Sequence, residues 1–303
     1  MKKILMQLDT DQFASSFDAI TAYDAGADQV MSYAAIGVDA VRPIILSACF
    51  TRGIPDLNNL AVWIGGSDVE LGEQILVKAR QTFFGPFKIS LMLDTNGCNT
   101  TASTAIAKLV RQTDLHGKTA LVIGPGPVGL RAASLLAREG VRVQLISIPP
   151  QLLGDRFNVV LAQKTLASAR KAAEAFQGTG NPGDGHIQVE DVLTISRLED
   201  ILKMVEIAVA AGPAGLQLLS ESQWASCEKL QWLIDFNLTE PLGIEGVKPS
   251  DDFAVREGKY ALGALAVGNP KMKVHKACIA RLFERNDLIL DTDGVYQIAK
   301  ELI

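Results

Sequence analysis

A glycine-rich loop, Gly124-Pro125-Gly126-Pro127-Val128-Gly129, carries the clearest chemical signal in the chain. Its spacing is G-x-G-x-x-G, and it joins an apolar segment typical of a buried strand, 118–124, to a segment of helical period, 128–140. In this pattern the first glycine permits a tight turn, the second lets the backbone approach a pyrophosphate, and the third lets the helix pack close to the sheet. The loop therefore predicts dinucleotide binding, with a plain strand–turn–helix as the alternative.

Residues that follow other predicted strands are further candidates for cofactor binding. Strand 141–148 ends around Ser147 without an acidic residue to hold a ribose 2′-hydroxyl and without an arginine for a 2′-phosphate. The Ser147 hydroxyl can donate to a phosphate oxygen, and Arg156 or Lys164 could fold back to it, so the sequence favours NADP over NAD. The other candidates are Asn237 and a small-residue turn after Ala210, which is either a cofactor site or a simple turn: Ala211, Gly212 and Pro213.

A second polar cluster, residues 94–101, follows the predicted strand 87–93 and opens a helix. Ligands in open α/β sheets bind at the carboxyl ends of strands, and this segment offers dense hydrogen bonding there. A helix cap is the alternative, but it would use only one of these side chains. The predicted substrate-binding residues are Asp94, Asn96, Asn99, Thr100 and Thr101.

Three lysines near the C-terminus occupy positions at which a predicted helix start disfavours positive charge. Asn269-Pro270 has the appearance of a helix cap followed by a first-turn proline, which would place Lys271, Lys273 and Lys276 in the first two turns. Cations there oppose the helix dipole, and such a conflict indicates function. We therefore expect a functional role for Lys271 and interpret the other two as solvated.

The composition excludes several classes of protein. The chain has 303 residues, of which 48% are apolar and 21% charged, with a net charge of −5 and no long basic run, so binding to nucleic acid or to an anionic membrane has no support. No apolar stretch reaches the ~20 residues of a membrane span, and the N-terminal apolar run is too short for a signal peptide. Four scattered cysteines without metal-ligand spacing predict reduced thiols, no metal site and a cytoplasmic protein.

Apolar runs alternate with segments of helical period along the whole chain. Strands are predicted at 3–8, 59–64, 87–93, 118–124, 141–148, 207–212 and 230–236, and helices at 16–24, 38–49 and 271–285. Residues 178–185 are predicted as a surface loop. This alternation predicts the α/β class, with a parallel sheet covered by helices on both faces, and the length favours two domains.

Nine motifs spread over nearly the whole chain resemble the bacterial NAD(P)-dependent methylene-tetrahydromethanopterin dehydrogenases. They are QLDTD (7–11), FDAITAYDAGAD (17–28), TRG (51–53), GGSD (65–68), FFGPF (83–87), DTNGCNTTA (94–102), GPGPVG (124–129), PLGIEG (241–246) and KMKVHKACIARLFE (271–284).

The resemblance implies an N-terminal α/β pterin-binding domain (1–113), a C-terminal Rossmann-type domain with a doubly wound parallel sheet (114–268), and C-terminal helices (269–303) that pack back across an active cleft. It implies hydride transfer from the methylene bridge of a reduced pterin to a nicotinamide in one-carbon (formaldehyde) metabolism of methylotrophs. It also implies a homo-oligomer, a trimer or a multiple of one. The family's cofactor-binding arginine has no counterpart here, because Ile148-Pro149 stands in its place.

The resemblance also assigns roles in catalysis. Lys271 corresponds to the family's active-site lysine, and our hypothesis is that it hydrogen-bonds a pterin oxygen or is partly neutral. Phe17 and Asp18 face the pterin, where a ring can stack and a carboxylate can accept from the aminopyrimidine edge. Arg52 contacts the substrate tail or is an ordinary surface residue. His275 is interpreted as packed on its helix.

Two alternatives to this function remain at the level of the sequence. The same reaction on methylene-tetrahydrofolate is the first, since both carriers present a similar bridged methylene. A non-catalytic NADP-binding sensor is the second, and the polar segment 94–101 and Lys271 argue against it.

Overall fold

The predicted alternation of strands and helices is present throughout the computed structural model, which describes residues 1–179 and 183–303. The chain divides into two compact units. The first consists of residues 1–100 and 271–303, and the second of residues 101–270. Both dividing points fall inside helices, α4 (Cys98–Val110) and α10 (Ala264–Arg281).

The first unit is built on a five-stranded parallel sheet with the strand order β12-β4-β3-β1-β2. Its strands are β1 (Ile4–Asp9), β2 (Gln29–Tyr33), β3 (Leu60–Gly65), β4 (Ser90–Leu93) and β12 (Ile289–Leu290). Its complete helices are α1 (Ser16–Asp24), α2 (Val38–Cys49), α3 (Val69–Thr82) and α11 (Thr292–Leu302).

The core of this unit explains why the central strands were visible in the sequence. Every residue of β3 and β4 is buried, as expected for strands covered on both faces. Leu8, Ile64 and Leu91 pack with Ile45 and Ile75 in one apolar cluster. The chain crosses from β2 over β1 to reach β3, so the strand order reverses next to β1, where open α/β sheets bind their ligands.

In its described residues, the second unit contains a seven-stranded sheet with the order β10-β11-β9-β8-β5-β6-β7, in which only the β10–β11 pair is antiparallel. Its strands are β5 (Thr119–Ile123), β6 (Arg142–Ile146), β7 (His186–Glu190), β8 (Ile207–Ala210), β9 (Trp232–Asp235), β10 (Asp252–Arg256) and β11 (Lys259–Leu262). Its complete helices are α5 (Pro127–Arg138), α6 (Pro150–Leu153), α7 (Val159–Thr179), α8 (Ile195–Leu202) and α9 (Glu221–Ala225).

This strand order is that of a dinucleotide-binding Rossmann fold, with the order reversing between β5 and β8. The predicted fold class, two α/β units with a Rossmann-type sheet in the second, is therefore confirmed. In the described part of the chain, no helix is both long enough and apolar enough to cross a bilayer.

The structure corrects the predicted start of one helix and describes only part of one predicted loop. Helix α10 begins at Ala264, so Asn269 and Pro270 lie inside the helix and do not cap it. Of the predicted loop 178–185, residues 178 and 179 belong to α7, and residues 180–182 lie outside the described residues.

Candidate functional site

A pocket of about 300 Å³ lies in the first unit at the carboxyl ends of β1, β3 and β4. We call it the strand-end pocket. It is lined by Asp11, Ser15, Phe17, Asp18, Gly66, Ser67, Asp94, Asn96, Gly97, Lys271 and His275.

The buried carboxylate of Asp9, the last residue of β1, organises the segment that carries Phe17 and Asp18. Its two oxygens accept the N–H groups of Asp11, at 2.9 Å, and of Ser15, at 2.8 Å. The hydroxyl of Ser15 then accepts the Asp18 N–H at 3.2 Å and caps α1. Asp18 is thereby held at the start of its helix, beside the strand ends.

The Asp18 carboxyl lies in an unfavourable environment for a negative charge. Burial raises its pKa to about 7, and the nearby carboxylates of Asp9 and Asp94 add to this rise. The hydrogen bond with Ser15 and the charge of Lys271 act in the opposite direction. Asp18 therefore changes its charge near neutral pH.

Two glycines leave room for the charged groups of the pocket. A Cβ atom on Gly65 would come within 2.8 Å of Asp18 Oδ2, and one on Gly97 within 2.6 Å of Lys271 Nζ. Gly97 also has a φ of +58°, in the left-handed region that glycine adopts most easily. The carboxylate of Asp18 and the ammonium group of Lys271 therefore lie against the backbone of Gly65 and Gly97, at the ends of the neighbouring strands β3 and β4.

Lys271 lines the strand-end pocket, although the dipole argument made from the sequence was wrong. Because α10 starts at Ala264, Lys271 is not in the first turn and does not oppose the N-terminal end of the helix dipole. Lys273 is exposed, and Lys276 forms a salt bridge of 2.8 Å with Asp24.

The polar segment 94–101 is divided between the pocket and the protein interior. Asp94 and Asn96 line the pocket, whereas Asn99 and Thr100 are fully buried. Asp94 Oδ1 accepts the N–H groups of Asn99 and Thr100, both at 3.0 Å, so this carboxylate also caps α4. Thr101 is half-buried on the same helix.

The remaining two side chains considered in the sequence of the first unit are Arg52 and His275. Arg52 lies outside the pocket lining and donates to the carbonyl of Lys2 at 2.9 Å. His275, interpreted from the sequence as packed on its helix, does line the pocket. Its ring is 4.6 Å from that of Trp63 in an edge-on arrangement.

In the second unit, the three glycines of the loop 124–129 each have a distinct geometry. Gly124 has a φ of +104°, and a Cβ on Gly129 would collide with the carbonyl oxygen of Gly124. A Cβ on Gly126, by contrast, would meet no atom within 4 Å. Gly126 precedes α5, whose first residue is Pro127, and among the described residues no side chain caps this helix. Open space before uncapped N–H groups fits a pyrophosphate.

The other candidate cofactor residues lie around the same strand ends. Ser147 donates to Asp191 Oδ1 and accepts the Val192 N–H, both at 2.8 Å. Arg156 donates to the carbonyls of Ala214 and Gly215, so it does not fold back on Ser147.

The turn after β8 is in close contact with the glycine loop. Ala211 donates to Ile123 O, and its own carbonyl lies where a Cβ on Gly124 would project. Gly212 is half-buried beside Ile148 and Leu218, and Pro213 is exposed. The Asn237 side chain accepts from Thr239 and donates to Pro241, which stabilises the loop after β9.

Sequence reasoning overlooked several pocket residues. Asp11, Gly66, Ser67 and Gly97 stand in short motifs whose purpose was not evident from their spacing, and Ser15 stands in none of the motifs. They converge only because β1, β3 and β4 are neighbours in the sheet. Asp11 and Ser67, for example, are 56 positions apart yet joined by a hydrogen bond of 2.6 Å.

Known proteins resemble this chain in sequence and in fold. It is 36% identical over 303 residues to the bifunctional protein MdtA of Methylorubrum extorquens, covering 99% of each chain. It is 27% identical to the NAD(P)-dependent methylenetetrahydromethanopterin dehydrogenase of the same organism, again over 99% of each. Shikimate 5-dehydrogenase from Listeria monocytogenes shares the fold, with a TM-score of 0.52 at 12% identity, over 98% of this chain and 96% of that one.

The family assignment rests on the first of these relatives and on a domain match. Residues 16–96 match the sequence model described as the N-terminal part of methylene-tetrahydromethanopterin dehydrogenase. This match covers Phe17, Asp18, Gly66 and Asp94 of the strand-end pocket. By its full-length identity to one relative and its match to the family's own N-terminal domain, this chain belongs to the methylene-tetrahydromethanopterin dehydrogenase family.

Proposed function

We propose that the protein oxidises methylene-tetrahydromethanopterin to methenyl-tetrahydromethanopterin and reduces NAD(P)⁺ to NAD(P)H. One carbon–hydrogen bond of the methylene bridge breaks, and its hydrogen leaves with both electrons as a hydride. The observation that carries this proposal is the strand-end pocket, in which Asp18, Asp94 and Lys271 meet at the carboxyl edge of a parallel sheet. The family membership supports a pterin as its ligand.

The residues of the pocket suit a flat, polar heterocycle. Phe17, which is 56% exposed, offers a ring face for stacking. The Asp18 carboxylate accepts hydrogen bonds from the aminopyrimidine edge, and the Lys271 ammonium donates to a pterin oxygen. Because the pterin nitrogens supply the electrons that expel the hydride, these residues act by binding and orientation, without a protein acid or base in the hydride step.

The charges of the pocket also bear on the reaction. Oxidation leaves a positive charge on the one-carbon unit, and a nearby anion stabilises a cation. Asp18 and Asp94 line the pocket as candidate anions, with Asp9 close behind them. Asp18 serves both binding and product formation only when ionised, so activity is expected to depend on its protonation.

The second unit would hold the nicotinamide cofactor. When bound, the cofactor supplies the hydride acceptor. Gly126 leaves space for a pyrophosphate, the uncapped start of α5 presents N–H groups to it, and Gly124 and Gly129 allow the close approach of loop, strand and helix.

The choice between NAD and NADP involves Asp191, a residue that was not considered in the sequence. Asp191 is exposed, follows β7 and is hydrogen-bonded to Ser147 at the end of β6. Its carboxylate would repel a 2′-phosphate and could accept from a ribose 2′-hydroxyl. The preference for NADP therefore rests only on the absence of an acidic residue from β6 itself, and we infer that NAD is also accepted.

Three further parts of the proposal concern the setting of the reaction. We propose a homo-oligomer, supported by large apolar side chains that are exposed around α1, among them Phe13 at 79% and Ile20 at 61%. A cytoplasmic location is supported by four cysteines that are all free and buried. The reaction itself belongs to one-carbon metabolism, as in the formaldehyde oxidation of methylotrophs.

An absorbance assay tests the proposed reaction. Purified protein is mixed with methylene-tetrahydromethanopterin or methylene-tetrahydrofolate, each with NAD⁺ and with NADP⁺, and formation of the reduced nicotinamide is followed. We expect turnover mainly with the methanopterin. Turnover with the folate alone would show that the protein catalyses the corresponding reaction on methylene-tetrahydrofolate. Cofactor binding without turnover on either substrate would contradict an enzymatic role.

A further inference from the structure

His275 lies in surroundings that its structural role alone does not explain. It is only 2% exposed, and neither of its ring nitrogens has a hydrogen-bond partner among the described residues. Its neighbours are aromatic: Trp63 at 4.6 Å, edge-on, and Phe17 at 6.5 Å between ring centroids. These contacts use the faces and edges of the ring but not its nitrogens.

A buried imidazole without partners is unfavourable in the free protein. A neutral imidazole carries one N–H donor and one nitrogen acceptor, and both lose their hydrogen bonds to water on burial. A phenylalanine would make the same kind of contact with Trp63 without that cost. Buried polar groups without partners are rare, and each calls for a specific explanation.

The position of His275 supplies the explanation. It lines the strand-end pocket together with Asp18, Asp94 and Lys271. We propose that His275 is a further substrate-binding residue, whose neutral imidazole hydrogen-bonds a nitrogen or oxygen on the polar edge of the bound pterin. This inference rests on the proposed function, because it takes the pterin as the ligand of the pocket.

The electrostatic surroundings agree with a neutral ring. Burial lowers the pKa of His275, Lys271 lowers it further, and Asp94 opposes both. A neutral hydrogen-bonding group suits a pocket in which the substrate becomes a cation, since a second positive charge beside Lys271 would disfavour the product.

Access to the nitrogens requires a small rearrangement. Both nitrogen atoms have almost no accessible surface in the free protein, although the side chain lines the pocket. Phe17 is the exposed member of the aromatic group, so its ring has the freedom to turn aside. The polar edge of the bound pterin would then reach the imidazole, while the displaced Phe17 ring stacks on the face of the heterocycle.

Three substitutions at His275 test the inference. His275→Phe keeps an aromatic ring against Trp63 but cannot form the hydrogen bond, whereas His275→Asn and His275→Gln retain a polar group near the positions of Nδ1 and Nε2. The dissociation constant of tetrahydromethanopterin is measured by calorimetry on the full-length protein, and the thermal midpoint is measured without ligand.

We expect opposite effects on stability and on binding in His275→Phe. The free protein should be as stable as the wild type or more stable, because an unpaired polar group has been removed, while the pterin binds about tenfold more weakly. One of the two amide variants should restore most of the affinity, which would identify the nitrogen that binds. The KM for the nicotinamide cofactor should stay unchanged.

Val274→Ala is the matched control, since Val274 is fully buried next to His275 on the same helix. It should lower the thermal midpoint and leave pterin affinity unchanged. Equal pterin affinity in the wild type and all three His275 variants would overturn the inference while leaving the proposed function intact. Failure of the wild-type protein itself to bind tetrahydromethanopterin would instead count against the proposed function.

Discussion

Among single residues of the candidate site, Asp18 is the one whose protonation depends most clearly on its environment. Its carboxyl is crowded by Asp9 and Asp94, and burial is the main reason that its pKa rises to about 7. A raised pKa means that the folded protein binds this proton more tightly than the unfolded chain does. The contribution of Asp18 to stability is therefore largest below pH 4 and is lost as the pH rises through 7.

Replacing Asp18 with asparagine should remove this pH dependence. We expect Asp18→Asn to gain stability over the wild type as the pH rises from 4 to 7, by at most about 1.4 kcal/mol per pH unit. Pterin affinity of the wild type should increase through pH 7, whereas that of the variant should be low and flat. Urea unfolding and pterin titration at pH 5, 6, 7 and 8 measure both effects, and parallel pH profiles in the two proteins would contradict the assignment.

Lys271 offers a second test at the residue scale. Its ammonium lies on the backbone of Gly97 at the edge of the strand-end pocket, so Lys271→Met removes a charged donor with little change in side-chain length. We expect kcat/KM for the pterin to fall by about 10- to 100-fold, the range of one lost charge-assisted hydrogen bond. Lys273→Met, at an exposed position on the same helix, should turn over normally. Near-normal turnover in Lys271→Met would show that Lys271 has no role in the reaction.

Asp191 determines the expected cofactor preference. Asp191→Asn keeps a hydrogen-bonding group beside Ser147 but removes the charge that would repel a 2′-phosphate. The ratio of kcat/KM for NADP to that for NAD should rise by roughly fivefold, as expected for the removal of one charge repulsion in a solvent-exposed setting. An unchanged ratio would show that the ribose lies elsewhere.

At the scale of elements, the loop between β5 and α5 contains one glycine that is expected to affect mainly cofactor binding and another that is expected to affect mainly stability. Gly126→Ala introduces a methyl group into open space and should cost less than about 1 kcal/mol of stability. It should nevertheless weaken NAD(P) binding by about tenfold or more, because it occupies the place of the pyrophosphate.

Gly129→Ala is the matched comparison in the same loop. Its methyl group would meet the backbone oxygen of Gly124, which has no freedom to move away, so we expect a loss of about 2–3 kcal/mol. Chemical unfolding and fluorescence titration with NADH and NADPH measure the two variants together. If Gly126→Ala were the less stable protein, or if it bound both cofactors normally, the proposed role of the loop would be wrong.

The elements that the sequence predicted and those that it missed differ in their surroundings. Strands β3, β4 and β8 are buried on both faces and appear as unbroken apolar runs. Strands β2, β7, β10 and β12 are the four sheet edges, and three of them contain exposed or half-buried residues throughout much of their length. An edge strand has no continuous apolar pattern, so single-sequence reasoning does not find it.

The start of α10 was missed for a different reason. Proline lacks an N–H group and usually stands in the first turn, so Pro270 suggested a new helix where the structure has a continuous one. A role for Lys271 was inferred from that misplaced helix start and from the family resemblance. The structure removes the first of these arguments and leaves the second. Within the strand-end pocket, Asp18, Asp94 and Lys271 were predicted, whereas Gly66, Gly97 and His275 needed the strand order and the helix register.

At the scale of the whole molecule, the apolar side chains exposed around α1 predict self-association. Ile20→Lys places a charge in that surface, and Ile20 does not line the strand-end pocket. We expect light scattering to give a multiple of the 32.5 kDa chain mass for the wild type and a smaller mass for the variant. Val255→Lys, at a position 63% exposed in the other unit, is the control and should leave the mass unchanged. A monomeric wild-type protein would contradict the homo-oligomer.

The order in which the two units occur along the chain has a consequence for biosynthesis. The second unit, for which we propose cofactor binding, is one uninterrupted stretch, 101–270, whereas the first unit, for which we propose pterin binding, also needs residues 271–303. A ribosome reaches Lys271, His275 and β12 only after the whole Rossmann-type sheet has been synthesised. With the proposed sites, a nascent chain would be able to hold its nicotinamide before it has a complete pocket for the pterin, and a chain released early would bind the oxidant without its substrate.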